Sequence, residues 1–228
     1  MSANIIISYD GTNNEDDAVA LGRLFAAAGS EVSLAYVRHA PEDDTSREIL
    51  AQHEAEVLLE RGTELLGDRD APRHVITDRS TPEGLAKLAA QNDADVIVFC
   101  SDSHTARGRI GVGNSAQRLL EGGATAIAIA PAGFAKQAQQ SVRRVGVAGD
   151  DSAVATAEAL ATALGAELGA AGEQEGNLLV VGSRPEAAHG HVSLSAASEN
   201  VIEIATCPVL VVPSGVALSF DGAGVAAA

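Results

Sequence analysis

Short apolar runs alternate with longer amphipathic stretches along the first half of the chain. The β-branched runs predict strands, and apolar residues spaced three and four positions apart predict the helices between them. This alternation is typical of a mostly parallel sheet that helices cover on both faces. The predicted strands are 4–10, 31–37, 73–78, 95–100 and 124–130, and helices are predicted from about Asp16, over 45–66, from Pro82 and from about Asn114.

The same pattern begins again after a polar, small-residue linker at 132–141. Residues 143–152 resemble the first strand and its turn, 177–183 resemble the fourth strand, and 207–213 resemble the fifth. We therefore interpret the chain as an internal duplication. The second copy is shorter, because only residues 166–171 provide a second strand and nothing corresponds to the long second helix or the third strand.

The duplication predicts an α/β fold with one complete unit and one incomplete unit. The first domain is expected over 1–137, with a mostly parallel five-stranded sheet, and a shortened second domain over 141–215. The remaining residues, 216–228, are small and polar, so we expect this tail to be frayed or disordered.

The composition is acidic, with a formal net charge of −16 and a pI near 4.6. Such a charge repels phosphate backbones and anionic lipids, so neither nucleic-acid binding nor membrane binding is expected. No apolar run approaches the ~18 residues that span a bilayer, and no signal peptide is recognisable, so a cytoplasmic protein is expected. Cys100 and Cys207 lie beside apolar runs and are expected to be buried thiols.

A glycine-rich stretch, GRIGVGNSAQRLL, covers residues 108–120 and leads into a helix. Asn114 and Gln117 have capping-box spacing, so we expect the helix to begin at Asn114. The first amides of a helix lack partners, and a glycine before them lets a phosphate approach without meeting a Cβ atom. The stretch is either a phosphate cradle or only a flexible entrance to a helix. The cradle would consist of Gly111, Gly113, Asn114 and Ser115.

The second copy repeats this arrangement at 190–213, where a glycine, a basic residue, a branched apolar residue, a turn, a helix and a strand follow one another. The run SENVIEIATCPVLVVP occupies 198–213, and GNSAQRLL at 113–120 is followed by AIAIAPAGFA at 126–135. With these segments the sequence resembles the universal stress protein family in its tandem two-domain form, and is similar to actinobacterial members.

The resemblance implies two flavodoxin-like, Rossmann-like units, each with a ligand crevice at the carboxyl ends of its strands. It also implies that the last strands, 124–130 and 208–212, meet at the interface between the copies, as in family dimers. A tandem chain can then act as its own dimer, and a homodimer through the last strands is the alternative use of the same contact.

Nucleotide-binding members of the family carry the motif G-x2-G-x9-G-[ST] before the last helix. On the first copy the motif falls on Cys100, Ser103, Gly113 and Asn114. The spacing and the last glycine are present, whereas both upstream glycines are replaced. The Cβ of Cys100 stands where the family's backbone approaches the phosphates, so the first copy is expected to keep a weakened phosphate site.

On the second copy only the first glycine of the motif survives, and Pro185 has no N–H group to donate. The aspartate that helps to hold the adenosine in the family matches Asp10 in the first copy and Asp150 in the second. The residue after the second strand, whose backbone meets the base, matches Val37. The second copy has no clear counterpart of Val37, so its pocket looks incomplete at both ends.

The resemblance thus implies a cytoplasmic stress-response protein that binds an adenine nucleotide, ATP with Mg²⁺, in the first copy. No residue constellation indicates fast turnover, so we expect a binding or signalling module rather than an enzyme, although slow ATP hydrolysis is known in the family. No metal site is expected, because His189 and His191 have no third ligand at a recognisable spacing. The alternative is a member without nucleotide that acts through contacts with an unknown protein partner.

Overall fold

The computed structural model describes residues 2–12, 14–39, 45–137, 142–170 and 177–221. Within these ranges, strands and helices alternate as the sequence pattern predicts. The strands are β1 (Asn4–Ser8), β2 (Glu31–Arg38), β3 (Arg73–Thr77), β4 (Val96–Cys100), β5 (Ala126–Ala130), β6 (Arg144–Ala148), β7 (Glu167–Ala170), β8 (Leu178–Gly182) and β9 (Val209–Val212). The α-helices are α1 (Glu15–Ala27), α2 (Thr45–Leu66), α3 (Thr81–Gln91), α4 (Asn114–Leu120), α5 (Asp151–Leu164) and α6 (Ala196–Ile204).

The nine strands form one sheet in the order β3-β2-β1-β4-β5-β9-β8-β6-β7. The strands of each unit are parallel to one another, and the order of the second unit mirrors that of the first. The predicted α/β fold with a mostly parallel, Rossmann-like sheet is therefore confirmed. The second unit has no counterpart of β3 within the described residues, in agreement with its shorter sequence.

The two units join through β5 and β9, which pair in antiparallel fashion with Ala128 opposite Leu210. Both strands are fully buried, since their apolar side chains pack on both faces of the sheet. The expected meeting of the last strands thus occurs within one chain. Within one chain each of these two strands already has a neighbour on both sides, so the contact of the last strands is made between the two units.

Helices cover both faces of the sheet and bury two apolar clusters, each of which contains residues of both units. Burial of apolar surface is the main favourable term in folding. These shared clusters therefore hold the two units together in addition to the single sheet. No helix within the described ranges is both long and apolar enough to cross a membrane. Helix residues of the clusters include Leu21, Leu59 and Leu160 on one face, and Leu85, Leu119 and Ile202 on the other.

Residues 214–221, which we call the C-terminal strap, contradict the expectation of a frayed tail. The strap runs from the second unit to the first, where the ring of Phe220 stacks on Phe25 of α1 with centroids 6.0 Å apart. The amide of Ala3 donates a 2.8 Å hydrogen bond to the carbonyl of Ser219. The rest of the predicted tail lies outside the described residues.

The strap has an alternating pattern that the sequence does contain. Leu218 and Phe220 are buried, whereas the residues between and beside them are exposed. The amide of Leu218 donates a 3.0 Å hydrogen bond to the buried Thr156 hydroxyl of α5. A period-two signal of three apolar residues, Val216, Leu218 and Phe220, is too short to predict an ordered segment, because these side chains find their partners only on the assembled helices.

Candidate functional site

In the sheet β1 lies between β2 and β4, so the chain moves to one side of β1 for β2 and β3 and then to its other side for β4 and β5. In a doubly wound sheet this switch point opens a crevice at the carboxyl ends of the two strands. We call the space between the turn at 9–12 and the loop at 101–113 the first crevice. Its counterpart in the second unit, between the turn at 149–150 and the loop at 183–195, is the second crevice.

The loop of each crevice is held by one buried serine hydroxyl. Ser101 donates a 2.7 Å hydrogen bond to the carbonyl of Ala130 at the end of β5 and accepts one of 3.2 Å from the Gly111 amide. Ser183 makes the same two bonds 82 positions later, at 2.8 and 3.2 Å. The sequence analysis missed this pair, although a serine directly after β4 and β8 was a signal available in both copies.

The basic residue that follows the first glycine of each loop contacts the other unit. The guanidinium of Arg109 donates a 3.1 Å hydrogen bond to the carbonyl of Ile204, at the end of α6. The ring of His191 lies 3.0 Å from the carbonyl of Gly122, just beyond α4. The repeated glycine–basic pattern therefore serves the interface between the units rather than a ligand.

The two glycines of the predicted cradle differ in what the fold requires. A Cβ atom at Gly111 would lie 2.0 Å from the Thr105 hydroxyl oxygen, so the loop has no room for a side chain there. A Cβ atom at Gly113 would meet nothing within 4 Å, and Gly113 has a φ of −72°, which any residue adopts. The fold thus explains the glycine at 111 and gives no reason for the one at 113.

The helix begins at Asn114, as the sequence predicts, but Asn114 does not cap it. Gly113 is the N-cap of α4 and Asn114 is its first helical residue. The amide of Gln117 bonds to the Gly113 carbonyl at 2.9 Å. The helix start has no side-chain cap, and among the described residues no acceptor bonds to the amides of Asn114, Ser115 and Ala116.

The second unit closes the equivalent helix start with a side chain. Ser195 lies 82 positions after Gly113 and is the N-cap of α6. Its hydroxyl accepts a 3.1 Å hydrogen bond from the amide of Ser198. At the start of α6 a side chain therefore satisfies one of the backbone amides, whereas the equivalent amides of α4 have no such partner.

The two aspartates that the resemblance singles out have different partners. Asp10 is exposed, and its carboxylate accepts a 3.0 Å hydrogen bond from the Thr12 amide. It does not cap α1, whose N-cap is Asn14. Asp150 is the N-cap of α5 and accepts a 3.1 Å hydrogen bond from the amide of Ala153. The carboxylate of Asp150 is thus used by the fold, whereas most of the surface of Asp10 faces solvent.

A buried acid, Glu15, lies beside Asp10 and was not singled out from the sequence. Its carboxylate accepts hydrogen bonds from the amides of Asp10 and, at 2.7 Å, Gly11. Burial, followed by the charge of the Asp10 carboxylate and a hydrogen bond with it, raises the pKa of Glu15 to about 9. The sequence places Glu15 in an acidic run that is typical of a solvated helix start, and only the folded turn shows that this member of the run points inward.

Cys100 also borders the first crevice, at the end of β4. Burial and then the acids Glu15 and Asp10 raise the pKa of its thiol to about 12, so Cys100 stays protonated and unreactive at neutral pH. Burial likewise raises the pKa of Cys207 to about 11. Both thiols are unpaired and half-buried, whereas the sequence predicted full burial; Cys100 lies at a strand end that opens towards the crevice.

Two other predicted residues lie farther from a ligand role. Val37 is inside β2, which ends one residue later, so it does not follow the strand as the resemblance implied. Its buried side chain packs against α3, where a Cβ atom at Gly84 would lie 2.9 Å from it. Ser103 is exposed in the loop after β4. The structure thus brings Asp10, Cys100 and the loop residues to one crevice and leaves Val37 in the sheet.

In the second unit two backbone segments lie in direct contact at the ends of β6 and β8. Gly149 has a φ of +150°, and a Cβ atom there would lie 2.6 Å from the Cα atom of Gly182. The turn after β6 therefore lies directly on the end of β8, where the first unit has Tyr9 and Cys100. The surviving first glycine of the motif, Gly182, is required by this contact.

The described residues include no group of three or more His, Cys, Asp or Glu side chains placed to hold a metal ion. One side-chain bridge crosses the mouth of the first crevice: the amide nitrogen Nδ2 of Asn14 donates hydrogen bonds of 3.2 and 3.1 Å to the carbonyls of Ser101 and Asp102. The bridge fixes the start of α1 against the loop after β4. The acids Asp10 and Glu15 are thereby held at a fixed place relative to the open amides of α4.

A sequence profile of the universal stress protein family matches residues 1–131, more than half of the chain. A universal stress protein from Archaeoglobus fulgidus DSM 4304 is similar in structure, with 15% identity, a TM-score of 0.60, and 94% of this chain and 100% of that chain covered. A putative universal stress protein from Pseudomonas aeruginosa UCBPP-PA14 has 10% identity and a TM-score of 0.63, with 92% and 93% covered. A functionally unknown protein from Pseudomonas aeruginosa PAO1 has 11% identity and a TM-score of 0.59, with 96% and 93% covered. No curated protein matches the chain.

Proposed function

The chain belongs to the universal stress protein family, and on that premise we propose that it binds one adenine nucleotide, ATP with Mg²⁺, in the first crevice. It acts in this proposal as a cytoplasmic stress-response module that responds to the nucleotide rather than as an enzyme with fast turnover. The Mg²⁺ ion would arrive on the nucleotide phosphates, because the described residues offer no metal cluster of their own.

The observation that carries the proposal is the glycine at position 113. Its backbone conformation suits any residue and its surroundings are open, so neither strain nor packing explains the missing side chain. A ligand that lies against the backbone at this point does explain it, because a Cβ atom would occupy the space of the ligand. The amides of Asn114 and Ser115 are available there as hydrogen-bond donors to a phosphate.

The adenosine end of the proposed site is Asp10. Its carboxylate lies at the end of β1, at the switch point where doubly wound folds bind their ligands. Carboxylate oxygens accept hydrogen bonds from hydroxyl groups, which makes Asp10 a suitable partner for the ribose. The backbone of Val37, one residue before the end of β2, is the proposed contact for the base.

The second unit has a structural role in this proposal. Gly149 and Gly182 lie in close backbone contact there, and its aspartate and serine cap helices of their own. Its last strand completes the sheet next to β5. One chain therefore binds one nucleotide, and the second unit supplies the partner that another subunit supplies in family dimers.

One observation favours the alternative, a protein that acts through contacts with a partner protein and without nucleotide. The amides of Asp102, His104 and Thr105 already donate hydrogen bonds within the loop, so the part of the loop upstream of Gly111 offers few free amides. Cys100 also stands at the first motif position. This loss weakens the site for a triphosphate and leaves the open amides of α4 as its main anion-binding groups.

Isothermal titration calorimetry tests the proposal with ATP and Mg²⁺ on the wild-type protein and on Gly113→Val. Because the space around Gly113 is open, the variant is expected to fold and to lose binding by at least about tenfold, a change of about 1.4 kcal/mol. Ser195→Val is the matched control at the equivalent position of the second unit, and it should leave the affinity unchanged. No heat from wild-type protein at millimolar ATP would favour the partner-protein alternative.

A further inference from the structure

Glu15, the first residue of α1, holds the backbone of the turn that carries Asp10. Its side chain is only 5% exposed, and a glutamate is rarely buried without a partner. The partners here are backbone amides, because its Oε2 atom accepts hydrogen bonds from Gly11 and from Asp10 itself. The two bonds fix the path of the backbone at the point where the Asp10 side chain leaves it.

The two acids are also close to each other, since the Asp10 carboxylate is one of the causes that raise the pKa of Glu15. Two ionised carboxylates offer only acceptors and repel each other, so a hydrogen bond between them requires one proton on the pair. Burial disfavours the charged form, and Glu15 is buried whereas Asp10 is exposed, so the proton resides on Glu15.

We propose that Glu15 is a positioning residue of the nucleotide site, which holds the Asp10 carboxylate in the orientation that receives the adenosine. The inference rests on the proposed function, because it assigns a role towards the same ligand. A freely rotating aspartate would lose side-chain entropy on binding. The hydrogen bonds that Glu15 accepts from the turn hold Asp10 in place and so reduce this entropy cost in advance.

The role depends on pH because the groups around Glu15 are mostly acidic. Because its pKa is raised to about 9, Glu15 is neutral at neutral pH and becomes negatively charged above about pH 9. This added charge repels the phosphates and disfavours a hydrogen bond between the two acids. The other titratable or charged groups around the pair are Tyr9 on the turn, Asp16 and Asp17 on α1, Cys100 on β4, and Arg61 on α2.

The first experiment measures ATP affinity at about pH 7.5 and about pH 10 for the wild-type protein, Glu15→Gln and Glu15→Leu. The wild-type protein should lose about tenfold in affinity over this range, the effect of one pH unit beyond the pKa. Glu15→Gln should stay within about twofold, because its amide donates to Asp10 without a proton to lose. Glu15→Leu should bind at least about tenfold more weakly at both pH values, since it leaves two amides unsatisfied.

Glu83→Gln is the matched control, because Glu83 is an exposed glutamate in the first turn of α3. It should reproduce the wild-type pH profile. Equal pH profiles for the wild-type protein and Glu15→Gln would overturn the positioning role and leave nucleotide binding standing. If the wild-type protein binds no ATP at either pH, the proposed function fails, and the positioning role fails with it.

A second measurement needs neither ligand nor the leucine variant. Carbon-13 NMR of the carboxyl groups in the unliganded protein follows each acid through a pH titration. A signal that titrates near pH 9 in the wild-type protein and is missing in Glu15→Gln supports the shared proton. A Glu15 signal that titrates near its ordinary pKa of 4.5 overturns the inference, whatever the protein binds.

Discussion

The first and second crevices share one loop design and differ in how their polar groups are used. In both, a buried serine hydroxyl ties the loop to the end of the last strand. In the first, α4 begins at Gly113 without a side-chain cap; in the second, Ser195 closes the equivalent helix start. The comparison teaches that the loop alone does not make a binding site. What matters is whether the fold itself already uses the amides and carboxylates at the helix starts.

One added methyl group should disrupt the backbone contact between Gly149 and Gly182 in the second unit. Gly149→Ala places a Cβ atom 2.6 Å from the Cα atom of Gly182, at a φ of +150° that disfavours every other residue. We expect a loss of about 3 kcal/mol or more in the free energy of unfolding, measured by urea denaturation. Gly113→Ala is the control in the first crevice, and its stability should change by less than about 0.5 kcal/mol. Equal losses for the two variants would contradict the difference between the crevices.

The open crevice contains a buried acid that the second crevice lacks, and this acid makes stability depend on pH. Because the pKa of Glu15 is raised to about 9, the folded state keeps a proton that the unfolded state loses near pH 4.5. Wild-type stability therefore falls as pH rises through this window, by up to about 1.4 kcal/mol per unit. Glu15→Gln has no such proton, so its stability relative to wild type should rise by about 2.7 kcal/mol between about pH 6 and 8.

Urea denaturation at several pH values measures this difference, with Glu83→Gln as the exposed control. The control should show the same pH dependence as wild type. A constant difference between wild type and Glu15→Gln from about pH 5 to 9 would show that Glu15 titrates normally.

The two equivalent aspartates should respond to alanine in different measurements. Asp150→Ala removes the N-cap of α5 and should cost about 1 kcal/mol of stability without altering nucleotide affinity. Asp10→Ala should change stability by less than about 0.5 kcal/mol and weaken nucleotide binding about tenfold. Thermal unfolding and calorimetric titration of both variants distinguish the roles; a larger stability loss at Asp10 would make it a structural residue.

The smallest expected effects come from exchanging the two N-cap residues. Gly113→Ser adds a hydroxyl that can cap α4 and should stabilise the protein by a few tenths of a kcal/mol, while its side chain weakens nucleotide binding. Ser195→Gly should cost a similar amount of stability and leave binding unchanged. Precise thermal scans resolve such shifts, and a gain in affinity for Gly113→Ser would argue against a ligand at this position.

The alternation of apolar runs was sufficient to predict the fold, because strand and helix periodicities depend on neighbours in the sequence. The strands of both units lie where the pattern places them, including the short β7. Helix caps were harder to predict: α4 begins at Asn114 as expected, but its N-cap is Gly113 and not Asn114. The N-cap depends on the backbone conformation just before the helix, which the spacing of polar residues does not determine.

The candidate site was predicted only in part. Asp10 and the glycine loop follow from the resemblance to the family, and they do lie at one crevice. Glu15 was missed because its burial arises from the way the turn folds over α1. Val37 lies one residue before the end of β2, since a strand end depends on pairing with β3 and not on composition. The ligand contacts of all these residues remain predictions.

The C-terminal strap has a consequence for biosynthesis. A ribosome makes the first unit before β9 and the strap exist, and domains generally begin to fold in the order in which they emerge. Until those last residues arrive, one edge of β5 has no neighbour and the ring of Phe25 has no stacking partner. The nascent first unit therefore exposes a sticky strand edge and an apolar patch for the time needed to translate the second half. Slow codons or truncated messages in the second half of the gene should thus cause aggregation of an otherwise complete first unit.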